Sequence, residues 1–456
     1  MPATALALPA LALLLALAGE ETNPAEPPSA RRYLIERVEL VGLRRTQPSE
    51  VRRHLAVSEG DPLDDSAVRL SRLRLLQLGW FSRVESRVER GSQRGLVILV
   101  FSFTERNTLI VSDFVLGSTG PQPIYGGFGL TEGNFLGLGL GLSGAFVYGG
   151  TPSEEPLAPA RFALKGAFYD PEFNWGRLAM VAGVSAILLH GEEFACTDPS
   201  CHLFQGHYDR APRLRYGRVG GELTIGIRPG PFERLVAGLR LERLNATSLP
   251  SQGGIGQGPS PSIHLGHSLI TALTASYDRD TRDDLFLPSS GTRLAVNIVF
   301  GSQELGGDYE YSRYLVQVES DHGLPWGDTL RLIGTAGAVQ GDAPFFERFY
   351  PADFAYFSIG PALGRALELN FSTDNRYDAY LAMGGVEYLW PLWSAGRFFH
   401  RGYLAFGARA LYSNARPGAG RTPASSTPFS GDVALRLDTP VGSFNLSAGY
   451  ALDNFL

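Results

Sequence analysis

The chain has 456 residues with 55 Gly, 19% charged and 44% hydrophobic residues, 11% aromatics and two Cys. Its Gly content is well above the ~7% of an average soluble domain and its charge is low, which argues against an ordinary α/β enzyme. The apolar content excludes intrinsic disorder, and a net charge of -6 offers no basic surface for nucleic acid.

Ala3 to Ala18 is an apolar run broken by Thr4 and Pro9 and ending in Ala16-Leu17-Ala18, an A-x-A pattern suited to signal-peptidase cleavage. Residues 1–18 are therefore expected to be a signal peptide, the alternative being a buried N-terminal helix. Residues 19–32, with Pro24, Pro27, Pro28 and three Glu, read as a linker.

The composition then breaks near residue 106. Residues 31–106 hold 25 charged residues and 5 Gly, whereas residues 107–456 hold 58 charged residues and 49 Gly. Two solvents or two architectures are implied.

In the first segment, Tyr33 to Val41 alternates as a half-buried strand that Gly42 ends. Thr46, Pro48 and Glu50 start a helix with Val51 and Leu55 as its stripe. Asp64, Asp65 and Ser66 start a second, carried by Leu70, Leu73 and Leu76 and stopped by Gly79. Trp80 and Phe81 are expected to pack back on that helix. Arg83 to Arg90 and Leu96 to Phe103 form two strands around the turn 91–95. Through Val38-Glu39-Leu40-Val41-Gly42, Glu59-Gly60-Asp61-Pro62-Leu63-Asp64 and Leu78-Gly79-Trp80-Phe81, residues 33–104 resemble a POTRA domain, an α+β module in the order β-α-α-β-β. The resemblance implies a periplasmic domain that hands clients along by strand addition at a sheet edge; a spacer or docking module is the blander alternative.

Residues 105–456 alternate with a period of two. Val219, Gly221, Leu223, Ile225 and Ile227 interleave with Arg218, Glu222, Thr224 and Arg228; Leu235, Leu239 and Leu241 interleave with Arg240 and Glu242; Val433, Leu435 and Leu437 interleave with Arg436 and Asp438. Stretches of about 10 residues, apolar on one face and polar on the other, predict an antiparallel transmembrane β-barrel. A soluble sandwich also alternates, but the export signal and the aromatics near strand ends (Phe146, Tyr148, Phe168, Tyr169, Tyr388, Trp390, Trp393) favour the membrane. Short connections are expected near 133–137, 170–176, 228–231, 322–327 and 439–442. Long ones are expected near 150–160, 192–212, 245–263, 341–378 and 413–428.

Five segments in order extend the likeness to the BamA/TamA superfamily of outer-membrane proteins: Gly129 to Gly139, Phe168 to Phe173, Tyr277 to Asp283, Gly385 to Pro391 and Asp438 to Gly442. The third is similar to the family's D-x-R-D turn, which assigns Asp280, Arg282 and Asp283 to that motif. The resemblance implies a barrel of 15–16 strands whose first and last strands meet at a seam. Phe444, Leu446, Ala448 and Tyr450 lie on the last strand, opposite a first strand near Leu109 to Leu116. It further implies outer-membrane lipids, unfolded client barrel proteins and periplasmic accessory proteins as partners, with no cofactor. The implied role is insertion or export of clients through that seam. The alternative is a pore or structural barrel without insertase activity.

Two departures stand out. The loop 341–378 lacks the family's lumenal R-G-aromatic triplet. Ile359, Gly360 and Pro361 occupy the neighbouring position, and Arg365 is the candidate substitute because a guanidinium can pair bidentately with lumenal acids. Arg401-Gly402-Tyr403 has the triplet but begins a strand and reads as girdle. Fifteen strands are placed, the last over Phe444 to Leu452. Either Ala362 to Phe371 adds another or a closing strand is missing.

Other chemistry is sparse. Cys196 and Cys201 in a long loop are expected to form a local disulfide; a zinc site with His202 and His207 would have unusual spacing. The cluster Asp278, Asp280, Asp283 and Asp284 lacks the Gly and Glu of an EF-hand. Neither a P-loop nor a G-x-S-x-G elbow occurs, so no enzyme is expected. Gly137, Gly139 and Gly141 read as a strand face without side chains that allows bending or the close approach of a loop, not as a dinucleotide motif.

Overall fold

Why a chain with so much alternation folds as two unlike parts is visible in a computed structural model. It describes residues 33–117, 124–150, 161–175, 178–194, 213–249, 262–284, 287–349, 377–393, 398–414 and 429–452. The expected signal peptide, the linker, Cys196, Cys201, Ile359, Gly360, Pro361, Arg365 and the stretch 362–371 lie outside these residues.

The small domain contains β1 (Leu34–Val41), α1 (Pro48–Arg53), α2 (Asp65–Gln77), β2 (Phe81–Arg90) and β3 (Leu96–Glu105). Asp64 caps α2 by accepting from the Ser66 N–H at 3.0 Å, and Gly79, at φ 71°, takes the left-handed turn that ends it. The sheet order is β1-β3-β2, with β1 parallel and β2 antiparallel to the central strand. Ile35, Val51, Leu75, Trp80, Phe81, Leu99 and Phe101 form the core between helices and sheet. β2 begins at Phe81, two residues earlier than expected, because Phe81 itself enters that core.

Fifteen further strands form one antiparallel meander in which each pairs with its chain neighbours. They are β4 (Leu109–Gly117), β5 (Ile124–Phe135), β6 (Leu140–Gly150), β7 (Arg161–Trp175), β8 (Leu178–Phe194), β9 (Arg213–Ile227), β10 (Glu233–Leu249), β11 (Gly266–Asp280), β12 (Gly291–Gly301), β13 (Tyr311–Gly323), β14 (Thr329–Gly341), β15 (Tyr380–Trp393), β16 (Arg401–Asn414), β17 (Phe429–Thr439) and β18 (Gly442–Leu452). Alternation decides which side chain faces where. Val219, Leu223, Ile225, Leu239 and Leu241 stand exposed on the outer face, while Arg218, Arg240 and Glu242 turn inward and are largely buried.

Two expected turns are corrected. Asp170 to Glu172 is not a turn but the bulged end of β7, where the pairing with β8 slips between Asp170 and Phe173. Pro171 has no N–H to give a ladder, so a bulge accommodates it. Likewise β5 runs through a second bulge to Phe135, and the turn is confined to 136–139.

The sheet does not close by pairing. Among the described residues β4 and β18 share no ladder. Their edges are joined by a backbone hydrogen bond from Val111 N–H to Val441 C=O at 2.8 Å.

Candidate functional site

Every short turn that the small domain touches lies on one rim of the barrel. The Trp80 indole N–H donates to Gly133 C=O at 2.9 Å, and Gln47 N–H donates to Gly137 C=O at 3.0 Å. Asn134 gives its amide to the Thr46 hydroxyl at 2.9 Å and accepts from Gly139 N–H at 2.8 Å, which locks the turn it belongs to. A Cβ on Gly137 would lie 2.0 Å from Arg45 C=O, and one on Gly139 would lie 3.0 Å from the Trp80 ring. The expectation of close approach thus holds for Gly137 and Gly139, although both sit in a left-handed turn rather than a strand. Gly141 is on β6, where the Tyr169 ring covers it.

The second contact is electrostatic. His54 follows α1 and is buried between the edge of the Trp80 ring and Glu172 of β7. Glu172 also pairs with Arg228, at the end of β9. Burial, reinforced by Arg228, Arg74 and Arg53, lowers the His54 pKa to about 3, so the imidazole is neutral. Glu105 fixes the segment leading into α1 by accepting from Arg45 N–H at 3.0 Å and Thr46 N–H at 2.9 Å.

The third contact is the D-x-R-D turn. Arg282 is 5% exposed and grips Asp280 with two bonds of 2.9 and 2.7 Å, while its remaining nitrogen reaches Glu319 of β13 at 3.1 Å. Asp283 accepts from the Ser289 and Ser290 N–H groups at 2.9 and 3.1 Å, closing the turn. From α2, Gln77 donates to the carbonyls of Asp280 and Arg282 at 3.0 and 2.9 Å. The motif therefore joins three parts: a hairpin, a barrel wall and the small domain.

The fourth contact involves the seam. Arg106, just after β3, donates to Asp438 of β17 at 3.1 Å. Asp438 also pairs with Arg401 at 3.0 Å, and Arg401 reaches Asp284 at 2.8 Å. Arg401 is thus drawn to acids on the inner side and is not a girdle residue. The strand start gave alternation no phase with which to assign its face.

Of the seam residues, Phe444 and Leu446 project outward and are 39% and 74% exposed. Ala448 and Tyr450 continue the backbone of β18. On the small domain, β1 has its outer edge occupied: Ile35 N–H bonds Asp61 C=O, Gly60 N–H bonds Ile35 C=O, and the Arg52 side chain bonds Val38 C=O. On β2, Arg72 takes the carbonyl of Val84 at 3.1 Å. The same outward direction recurs at Ser86 and Val88. Val88 is 51% exposed.

The inner wall carries further ionic layers that sequence reading did not single out. Glu387 is held by Arg331, Arg409 and Arg436 together, and Arg331 also bonds Asp321 at 2.7 Å. A rule that a polar residue faces the lumen every second position identifies the members, but not the partnerships across strands.

The Omp85 superfamily domain model matches residues 134–454, and the surface antigen variable number repeat (POTRA) model matches residues 33–106. The outer membrane protein assembly factor BamA of Nitratidesulfovibrio vulgaris is 23% identical over 328 residues, covering 70% of this chain and 37% of that protein. BamA of Neorickettsia risticii is 25% identical over 292 residues, covering 62% and 34%. The chain thus spans about a third of the length of these relatives. Among solved structures, BamA of Haemophilus ducreyi lacking POTRA domains 1-3 has a TM-score of 0.50 at 15% identity, covering 94% of this chain and 82% of that one. CdiB of Escherichia coli has a TM-score of 0.51 at 10% identity, covering 96% and 89%. With its POTRA domain on the periplasmic side of an outer-membrane β-barrel, the chain belongs to the Omp85 superfamily.

Proposed function

We propose that this protein is an assembly or translocation factor that passes unfolded client proteins into or across the outer membrane. The observation that carries the reading is the seam: among the described residues β4 and β18 share no ladder, and they meet at the periplasmic rim through Val111 and Val441. Unpaired amides in hydrocarbon are costly, so such edges are templates for an incoming strand. The POTRA domain supports the same reading, because β1 is covered by residues 60–63 and Arg52, whereas among the described residues no backbone pairs with the outer edge of β2 over Ser86–Arg90, which leaves it available for strand addition. The BamA relatives are named as assembly factors. The proposed partners are unfolded barrel clients at β2, lipid along the outer wall and periplasmic accessory proteins.

The test is folding of a small client barrel into lipid vesicles with and without the full chain. Folding is expected to accelerate with the wild type. It is expected to fall back when Val88→Pro removes an edge N–H, or when Val111→Cys and Val441→Cys are oxidised across the seam. Equal rates with and without the protein would sink the proposal and leave a pore or structural barrel.

A further inference from the structure

Among the described residues only one holds a left-handed backbone without being glycine: Leu136, at φ 57°, in the turn between β5 and β6. Crowding at Cβ makes that conformation costly for leucine, whereas glycine takes it freely. The residue is also 71% exposed, so packing within the chain does not compensate. A strained, exposed leucine at a turn points to something outside the chain that covers it.

Its neighbours narrow what that is. Phe128 and Leu130 are exposed on the outer face of β5, and Phe135 is exposed again past the bulge that leads to the turn. On β7, Phe173 stands exposed beyond the bulge at Asp170. The lipid-facing wall therefore continues to the periplasmic rim, which sets Leu136 at the boundary of hydrocarbon and headgroups.

Cations adjoin it. Arg45 C=O packs on Gly137, so close that a Cβ there would lie 2.0 Å away, and Glu105 holds the Arg45 N–H at 3.0 Å. The backbone is thus pinned against the turn, while Arg44 and Arg45 both remain exposed. Among the described residues neither side chain pairs with an acid. Arginines on the sheet of the domain differ, since Arg37 pairs with Glu39 and Arg87 with Glu89, each at 2.7 Å. Residues 33–106 hold thirteen Arg against ten Asp and Glu, an excess of positive charge within a chain of net charge -6.

We propose that Leu136 and the Arg44–Arg45 segment form a binding ledge for an anionic phospholipid of the periplasmic leaflet. Leu136 enters the acyl boundary, and the two guanidinium groups hold the lipid phosphate through charge-assisted hydrogen bonds. The inference rests on the barrel lying in a bilayer and is independent of whether the seam handles clients.

The test refolds the full chain into phosphatidylcholine vesicles containing a trace of phosphatidylglycerol with a photoreactive acyl chain, and maps the labelled residues by mass spectrometry. Label is expected at 135–138 and 44–45. Unlabelled phosphatidylglycerol is expected to compete it away, and added phosphatidylcholine is not. Arg44→Gln with Arg45→Gln is expected to weaken labelling about 25-fold, each cation being worth about fivefold at an anionic surface. Leu136→Gly keeps the left-handed turn without strain, so it is expected to lose label while folding at least as well in neutral detergent. Arg90→Gln with Arg94→Gln, exposed at the end of the POTRA sheet remote from Glu105, is expected to leave labelling unchanged. An equal loss in the two double variants, or competition by phosphatidylcholine, overturns the proposal. A ledge without label, or a Leu136→Gly chain labelled like the wild type, overturns it too.

Discussion

The guanidinium of Arg106 and the carboxylate of Asp438 meet at 3.1 Å, 10% and 5% exposed, where the POTRA domain ends and the last hairpin of the barrel begins. One partner belongs to the segment between β3 and β4, the other to β17, three residues before the Val441 carbonyl that receives Val111 N–H. The contact of the POTRA domain with the barrel and the contact between β4 and the last hairpin therefore share the same few residues. Arg401 shares Asp438 and carries the link across to Asp284.

Asp438→Ala removes the common acceptor and leaves two arginines facing one another. Breaking a buried pair from one side costs about 3 kcal/mol. The urea midpoint of the refolded barrel in vesicles is expected to fall accordingly. Seam opening, read as thiol accessibility at Val111→Cys, is expected to rise. Asp438→Glu, which keeps the charge, is expected to recover most of both. An unchanged midpoint and unchanged accessibility in the alanine variant would show that the pair does not hold the seam.

Docking of the POTRA domain depends on two small features with different signatures. Trp80→Phe keeps an aromatic ring in the domain core but loses the bond to Gly133, worth about 1 kcal/mol. Gly137→Ala leaves the domain core untouched, yet places a Cβ against Arg45 C=O at a left-handed φ. The glycine variant is expected to separate domain and barrel more than the tryptophan variant does. Spin-label distances between Ser58 and Gly230 would measure this as broader and longer distributions in both.

The fold was legible where one physical rule governs many residues. Leu70, Leu73 and Leu76 with the Asp64 cap announce α2, and Val219, Leu223 and Ile225 announce a lipid-facing strand because hydrocarbon enforces the period of two. The rule fails where a local break is compensated. Pro171 reads as a turn, yet a bulge carries β7 past it. Partnerships between distant residues were not legible at all. Phe345, Phe346 and Glu347 have no periodicity, and their contacts are with Tyr216 and Arg240, which are more than 100 positions away. Arg401 was misplaced for a related reason: its direction is set by Asp438 and Asp284, not by neighbours in sequence. The Asp280-Arg282-Asp283 turn was found as a pattern. Its bond to Gln77 of the POTRA domain had no sequence signal.

Acid is expected to loosen the POTRA–barrel contact through His54. Its pKa in the folded chain is about 3, below the ordinary value of 6.5. The unfolded or undocked state therefore binds a proton first as pH falls. Stability is full above pH 6.5 and declines below it by up to about 1.4 kcal/mol per pH unit, until the folded imidazole also titrates near pH 3. Denaturation midpoints of the full chain at pH 7.5, 5.5 and 4.5 would trace this fall. His54→Gln, which has no such proton to bind, is expected to flatten the part of the slope between pH 6.5 and 4.5. An equal slope in wild type and variant would assign the dependence to other groups.

Arg282 is the residue on which the D-x-R-D turn converges, since one side chain orders Asp280, reaches Glu319 on β13 and sets the carbonyls that Gln77 binds. Arg282→Lys keeps the charge but cannot make the two-pronged bond to Asp280 while also reaching Glu319. Arg282→Ala leaves the buried Glu319 and the half-buried Asp280 without that cation, at a cost of about 3 kcal/mol. The alanine variant is expected to lower the denaturation midpoint most, with lysine intermediate. Gln77→Ala is expected to leave the midpoint nearly unchanged while freeing the POTRA domain in the same spin-label distances. The contrast separates two roles: if Gln77→Ala destabilises the barrel as strongly as Arg282→Ala, the turn and the domain form one cooperative unit, and docking cannot vary without unfolding.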